Sequence, residues 1–324
     1  MIASPLWKGL APLCAIVFLE FLAMGLPLPI LPVHVHGTLG FGSFVVGLAI
    51  AAQSWATLLT RHRAGTWSDQ RGPRGAALLG LSLSALAGAL YALSYAASSL
   101  VLLLVGRVLL GVGESLVVTG ALSWGIALAG RERSGVVMAW IGIAMYGALA
   151  AGSPLGSLLH ASYGFMGMSS AAALAPLAAL AVVALTPTVR LPPSATRLPF
   201  YRVIGLIWLP GLGLMVSAVG FGAIAAFSTL RFGQEGWSHA ALAMTAFGSA
   251  YVLARMLFGR FPDRFGGARV AMVTAVVAAV GQLALWLATS GSMAVGAAAL
   301  SGFGFSLAFP SFGIEAIRRV PPQN

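Results

Sequence analysis

Apolar segments long enough to cross a bilayer fill most of this chain and leave little from which to build a domain in water. Read from the residues alone, they fall at roughly 10–33, 43–62, 75–95, 99–128, 135–159, 164–186, 203–227, 239–258, 270–289 and 292–316. A helix of about 20 apolar residues spans the hydrocarbon core. The chain is 59% hydrophobic and 8% charged, whereas soluble domains are about a quarter charged. The segments are too many for a signal peptide ahead of a soluble domain. They also lack the period-two alternation of a membrane β-barrel. The expected fold is an all-α polytopic membrane protein, embedded in the lipid bilayer.

A net charge of +11 invites a nucleic-acid reading, but the placement of the charge argues otherwise. With the N-terminus in the cytoplasm, nearly every Lys and Arg outside the spans falls in an inside loop. Arg231 is the exception, and Arg107 and Arg255 lie within spans. That bias is a topology signal, and no nucleic-acid partner is expected. Cys14, the only cysteine, sits in the first span, so no disulfide or metal framework and no cofactor is expected. No phosphate loop and no catalytic cluster of His, Cys or acids occurs, so no enzyme is expected.

Between spans two and three the chain reads Gly65-Thr-Trp-Ser-Asp69-Gln-Arg-Gly72-Pro-Arg74. Between spans eight and nine it reads Gly259-Arg-Phe-Pro-Asp263-Arg264-Phe-Gly266. Glycine, aspartate and glycine recur at the same offsets, with Arg61 and Arg255 eight residues before the aspartates. A duplicated hairpin between apolar spans points to a transporter made of two similar halves. The proline-rich stretch after Thr186 reads as a cytoplasmic linker. The expected organisation is an N-terminal six-helix half over 1–186, a linker over 187–202 and a C-terminal half over 203–324.

The repeat extends further. Arg107-Val-Leu-Leu-Gly111-Val-Gly113-Glu114-Ser115 in span four echoes Ala298-Ala-Leu-Ser-Gly302-Phe-Gly304-Phe-Ser306 in span ten. Two more spans follow span four before the linker, but none follows span ten. The second half is therefore expected to lack its last two helices, and the chain reads as C-terminally truncated.

These motifs resemble those of the major facilitator superfamily. Gly65, Asp69, Gly72 and Arg74 resemble its signature cytoplasmic loop, and Gly259, Asp263 and Arg264 the degenerate second copy. Arg107, Gly111 and Gly113 resemble a motif associated with proton coupling. In span five, Gly142, Gly147, Gly152, Pro154 and Gly156 resemble the glycine-proline motif of its antiporters. The run from Gly25 through His36 to Gly65 is most similar to the bacterial YhhS/YfcJ-type efflux subfamily, whose members are described as sugar or drug exporters. The resemblance implies a bundle with about ten of the usual twelve transmembrane helices, working as a monomer in the bacterial inner membrane. It also implies that Asp69 locks the two halves against span eleven, here missing, and that Asp263 faces span five near Arg131 and Arg133.

Glu20 and Glu114 bear most directly on mechanism. Each lies mid-span, where a charged side chain costs about 3 kcal/mol. If spans one and four line a central cavity, as the resemblance implies, the two acids form a proton site. Arg107, two turns from Glu114 on one face, is expected to tune that site or to bind an anionic or hydroxylated substrate. The blander reading is that all three stabilise the bundle interior through hydrogen bonds. The glycines of span five equally suit close helix packing. His34 and His36 read as solvated mouth residues. Gln53, Ser54, Trp55, Trp124, Tyr146 and Gln282 are candidate substrate contacts or plain packing. Glu315 and Arg318 read as a local pair.

The expectation is a secondary active transporter, proton-coupled, exporting a small organic solute, sugar-like or drug-like, by alternating access. Its partners would be that small-molecule substrate and protons. The alternatives are uptake symport of a sugar or organic acid, and a non-transporting fragment.

Overall fold

In a bilayer the backbone must satisfy its own hydrogen bonds, so apolar spans become helices. The computed structural model describes residues 5–187 and 200–319, which are helical nearly throughout and contain no strand among the described residues. The linker expected over 187–202 lies mostly outside the described residues. The helices are α1 (Pro5–Gly25), the continuous run Ser43–Ala96, α4 (Leu100–Ala129), the run Ser134–Leu185, α7 (Phe200–Gln234), α8 (Ala241–Phe258), α9 (Gly267–Trp286), α10 (Gly291–Ser306) and α11 (Ala308–Arg319).

Ser43–Ala96 and Ser134–Leu185 have 54 and 52 residues. At 1.5 Å per residue each would run about 80 Å, more than twice the hydrocarbon thickness. Each breaks at one glycine. Gly72 (φ 80°, ψ 158°) divides the first into α2 (43–71) and α3 (73–96). Gly164 (φ 65°, ψ −167°) divides the second into α5 (134–163) and α6 (165–185). With α10 and α11 counted as one apolar stretch, Gly291–Ala316, the described residues form ten apolar helical segments.

Several boundaries differ from the sequence reading: the helix of span two runs on to residue 71, so Gly65 and Asp69 lie in helix rather than in a loop, and that of span seven runs to Gln234. The first span was expected to reach residue 33, but α1 ends at Gly25. Pro27 and Pro29 cannot donate within a continuing helix, and each restricts the residue before it. The chain turns over 26–30 and re-enters as a short helix (Leu31–Val33) and a π turn (His34–Thr38).

The chain divides into two compact units, Met1–Pro192 with Ala226–Arg231 and Pro193–Ala225 with Phe232–Asn324. In the first, α4 is the central element, packed on α2 and α3, while α1 packs on α5. In the second, α10 packs on α8 and α9, and α11 on α9.

The repeat in the sequence is also a repeat in backbone conformation. Gly266 (φ 91°, ψ 141°) takes the same left-handed geometry as Gly72, which a Cβ would strain. Ser99 caps α4 by accepting from Leu102 N, and Ser290 caps α10 by accepting from Met293 N. A Cβ on Gly111 would meet the Gln53 carbonyl, and one on Gly302 the Phe247 carbonyl. Gly113 lies against the Gly80 carbonyl and Ser84, and Gly304 against the Thr274 carbonyl and Ala278. Gln53 and Phe247 precede their aspartates by one interval, and Gly80 and Thr274 follow them by another. The two three-helix cradles, α2–α3–α4 and α8–α9–α10, therefore share one register.

Candidate functional site

The polar residues of the first cradle meet inside it. Glu20 on α1 is 1% exposed, and its Oε1 accepts from Ser84 Oγ on α3 at 2.6 Å. Its Oε2 is buried and has no hydrogen-bond partner among the described residues. Glu114 on α4 is half-buried. Its Oε2 accepts from Gln53 Nε2 at 2.9 Å and from Thr57 Oγ1 at 3.1 Å, both on α2. Thr57 Oγ1 also lies 3.1 Å from the Gln53 carbonyl and 3.0 Å from the Gly111 carbonyl. Ser84 touches Gly113, next in sequence to Glu114. One side chain thus lies between Glu20 and the helix carrying Glu114.

Arg107 is bonded to backbone. It is 1% exposed and donates from Nε to the Ala49 carbonyl at 3.0 Å and from Nη2 to the Ile50 carbonyl at 3.1 Å. Its guanidinium is taken up by the backbone of α2 rather than by Glu114. The two-turn spacing puts both residues on one side of α4, but α2 passes close enough to claim the longer side chain. Such close passage is possible because Gly111 has no side chain.

Among the hairpin residues, Asp69 is exposed and Gly65 half-buried. Arg74 donates from Nη2 to the Ala184 carbonyl at 3.2 Å, where a cation suits the C-terminal end of α6. Gly259 is half-buried, while Asp263 and Arg264 are exposed, and Arg264 lies over the Phe265 ring at 5.3 Å. The matched arginines differ. Arg61 is exposed, whereas Arg255 is buried and donates to the Ser306 carbonyl at 3.3 Å.

In α5, Gly152 packs on Gly25, and Gly156 lies against the Leu26 carbonyl. Gly147 and Pro154 are half-buried. These glycines therefore hold α5 against the chain where α1 ends and turns. Of the other candidates, Trp124 is fully buried and Trp55 is 60% exposed. Ser54 is exposed, Tyr146 is half-buried, and Gln282 donates to Ser301 Oγ at 2.5 Å. Glu315 pairs with Arg318 at 3.4 Å and also accepts from Ala268 N at 3.1 Å.

His34 was expected in solvent but is 4% exposed. Its ring lies 4.3 Å from that of Phe165 and 5.8 Å from that of Tyr95, and Phe165 meets the edge of His160. The π turn at 34–38 rolls His34 under these rings and leaves His36 exposed, bonded to the Phe41 carbonyl at 2.8 Å. Burial, and then the neighbouring His160, holds the His34 imidazole below its ordinary value of 6.5. Unfolding this turn therefore takes up a proton, and its stability is lost as pH falls below about 6.5. Hydrogen exchange of amides 31–39 is expected to quicken from pH 7.5 to pH 5 beyond the intrinsic rate. In His34→Gln that excess should vanish, and an unchanged excess would assign the effect elsewhere.

Ser84 and Thr57, which bond the acids directly, were not recognised from the sequence. The repeat held a signal for them: Ala278 and Tyr251 occupy the matching positions.

Long apolar helices in two units with a shared register define a polytopic membrane protein built by duplication. The model of the Major Facilitator Superfamily matches residues 13–324, and the chain belongs to that family. It is 44% identical over 313 residues to an uncharacterized MFS-type transporter of Pseudomonas aeruginosa PAO1, covering 95% of this chain and 77% of that protein. It is 39% identical over 334 residues to the uncharacterized MFS-type transporter YhhS of Escherichia coli K12, covering 100% of this chain and 82% of YhhS. The fold resembles the xylose transporter XylE from E. coli (TM-score 0.77, 13% identity, 98% of this chain and 87% of that one). It also resembles the nucleoside transporter NupG (TM-score 0.76, 14% identity, 97% and 84%). The chain is thus a multi-pass membrane protein of a transporter family.

Proposed function

We propose that this chain is a proton-coupled exporter of a small organic solute, sugar-like or drug-like, working by alternating access. It acts as a monomer in the bacterial inner membrane with its N-terminus in the cytoplasm. Glu20 and Glu114 carry the protons, and the Asp69 and Asp263 segments gate the cytoplasmic end. Gly147, Gly152, Pro154 and Gly156 hold the packing of α5 that the exchange requires. Arg107 fixes α4 against α2 rather than meeting substrate.

The observation that carries this reading is the pair of acids itself. Of the seven acidic residues, these two lie near the middle of their spans, each held by hydroxyl or amide donors from a neighbouring helix. Carboxyls at such depth are costly unless they serve a proton or ion path.

The test uses liposomes holding the purified protein and a pH-sensitive dye, with ethidium and xylose as drug-like and sugar-like probes. Probe-dependent proton movement is expected, falling at least tenfold in Glu20→Gln and in Glu114→Gln. Unchanged proton flux in both variants would remove the proton-site assignment. Probe accumulation in the same direction as the protons would favour symport, and no movement of any probe would favour a non-transporting fragment.

A further inference from the structure

We propose that Thr57, Gln53 and Ser84 are positioning residues for the two carboxyls, a role that rests on the proton-carrying reading above. The competing explanation is that they only help α2 and α3 pack on α4. The second unit supplies an internal control. There the same contacts, Gly302 on the Phe247 carbonyl and Gly304 on the Thr274 carbonyl, are made without these side chains. Phe247 stands at the place of Gln53, Tyr251 at that of Thr57, Ala278 at that of Ser84, and Phe305 at that of Glu114. Phe305 packs against Phe247 and Tyr251 with ring centroids at 6.0 and 6.1 Å. In this register the second unit packs through its glycines and a bond from Ser306 Oγ to the Tyr251 carbonyl at 2.8 Å, without those polar groups. Where the acid is lost, its donors have been replaced too.

Thr57 has the more specific part. Its hydroxyl carries one proton and has three acceptors within 3.1 Å: Glu114 Oε2, the Gln53 carbonyl and the Gly111 carbonyl. Facing an ionised Glu114, the hydroxyl donates to Oε2. Facing a protonated Glu114, it turns its proton to a carbonyl and accepts from the acid. The hydroxyl so follows the state of the carboxyl without any helix moving. Gln53 can only donate to Oε2 through its amide, and it keeps that oxygen turned toward α2. Ser84 holds Glu20 Oε1 in the same way from α3, its hydroxyl confined by Gly113.

Infrared difference spectroscopy of the whole chain in lipid vesicles, taken across a pH range, reads each carboxyl without a substrate. Glu20→Gln and Glu114→Gln identify the two protonated-carboxyl bands. Thr57→Val is expected to shift the frequency of the Glu114 band and leave the Glu20 band in place. Thr57→Ser should restore it. Ser84→Ala, which copies the second unit, is expected to raise the frequency of the Glu20 band while leaving Glu114 unmoved. Variants that melt normally and leave both bands in place would overturn the positioning roles. The absence of any pH-dependent band removed by Glu20→Gln or Glu114→Gln would instead overturn the proton-carrying reading beneath them.

Discussion

Gly302→Ala is expected to destabilise the second unit by about 1–3 kcal/mol, a fall on the order of 5–10 °C in melting temperature. Its new methyl would meet the Phe247 backbone carbonyl, which cannot rotate aside as a side chain can. Gly296 lies on the same helix, is exposed, and has nothing within 4 Å of an added Cβ. Gly296→Ala should therefore be neutral or raise the melting temperature slightly, because alanine is the better helix former. Gly111→Ala should behave like Gly302→Ala, since the Gln53 carbonyl occupies the matching place. Thermal unfolding in detergent, followed by size-exclusion chromatography, separates these outcomes. Equal melting of the Gly296 and Gly302 variants would mean that the backbone contacts do not hold the cradle.

Arg107→Ala is expected to cost about 3 kcal/mol, combining two lost charge-assisted hydrogen bonds with a buried cavity. Arg107→Lys keeps the charge, but an ammonium is a point donor where a planar fork bridges two carbonyls. It should recover only part of the loss. If Arg107 instead met an anionic substrate in an open site, both variants would melt like the parent and only flux would change. Melting temperature beside ethidium and xylose flux therefore distinguishes a brace from a binding residue.

Much of this fold was legible from hydropathy alone, because lipid leaves the backbone few options. The breaks at Gly72 and Gly164 follow from spans too long for one crossing. The early end of α1 was missed because hydropathy continues through Leu26-Pro-Leu-Pro-Ile30, while proline's lost donor interrupts the helix. The acids were legible because charge in a span is costly. Their partners were not, since serine, threonine and glutamine are common in helix interiors and their direction depends on which neighbour comes close. Arg107 shows the same limit: spacing on one helix places it near Glu114, and only the approach of α2 decides what it meets. His34 was misplaced because a single π turn changes which ring faces the protein.

The paired glycines also bear on how such a protein can move. Where a helix rests on its neighbours through side chains, it can slide by exchanging rotamers. Where glycine meets a carbonyl directly, as Gly111 does on α2 and Gly113 on α3, fewer side chains are left to exchange. The three helices then form one mechanical part, as do α8, α9 and α10. Any working stroke must be taken up at their edges, by the turns and by the helices outside each trio.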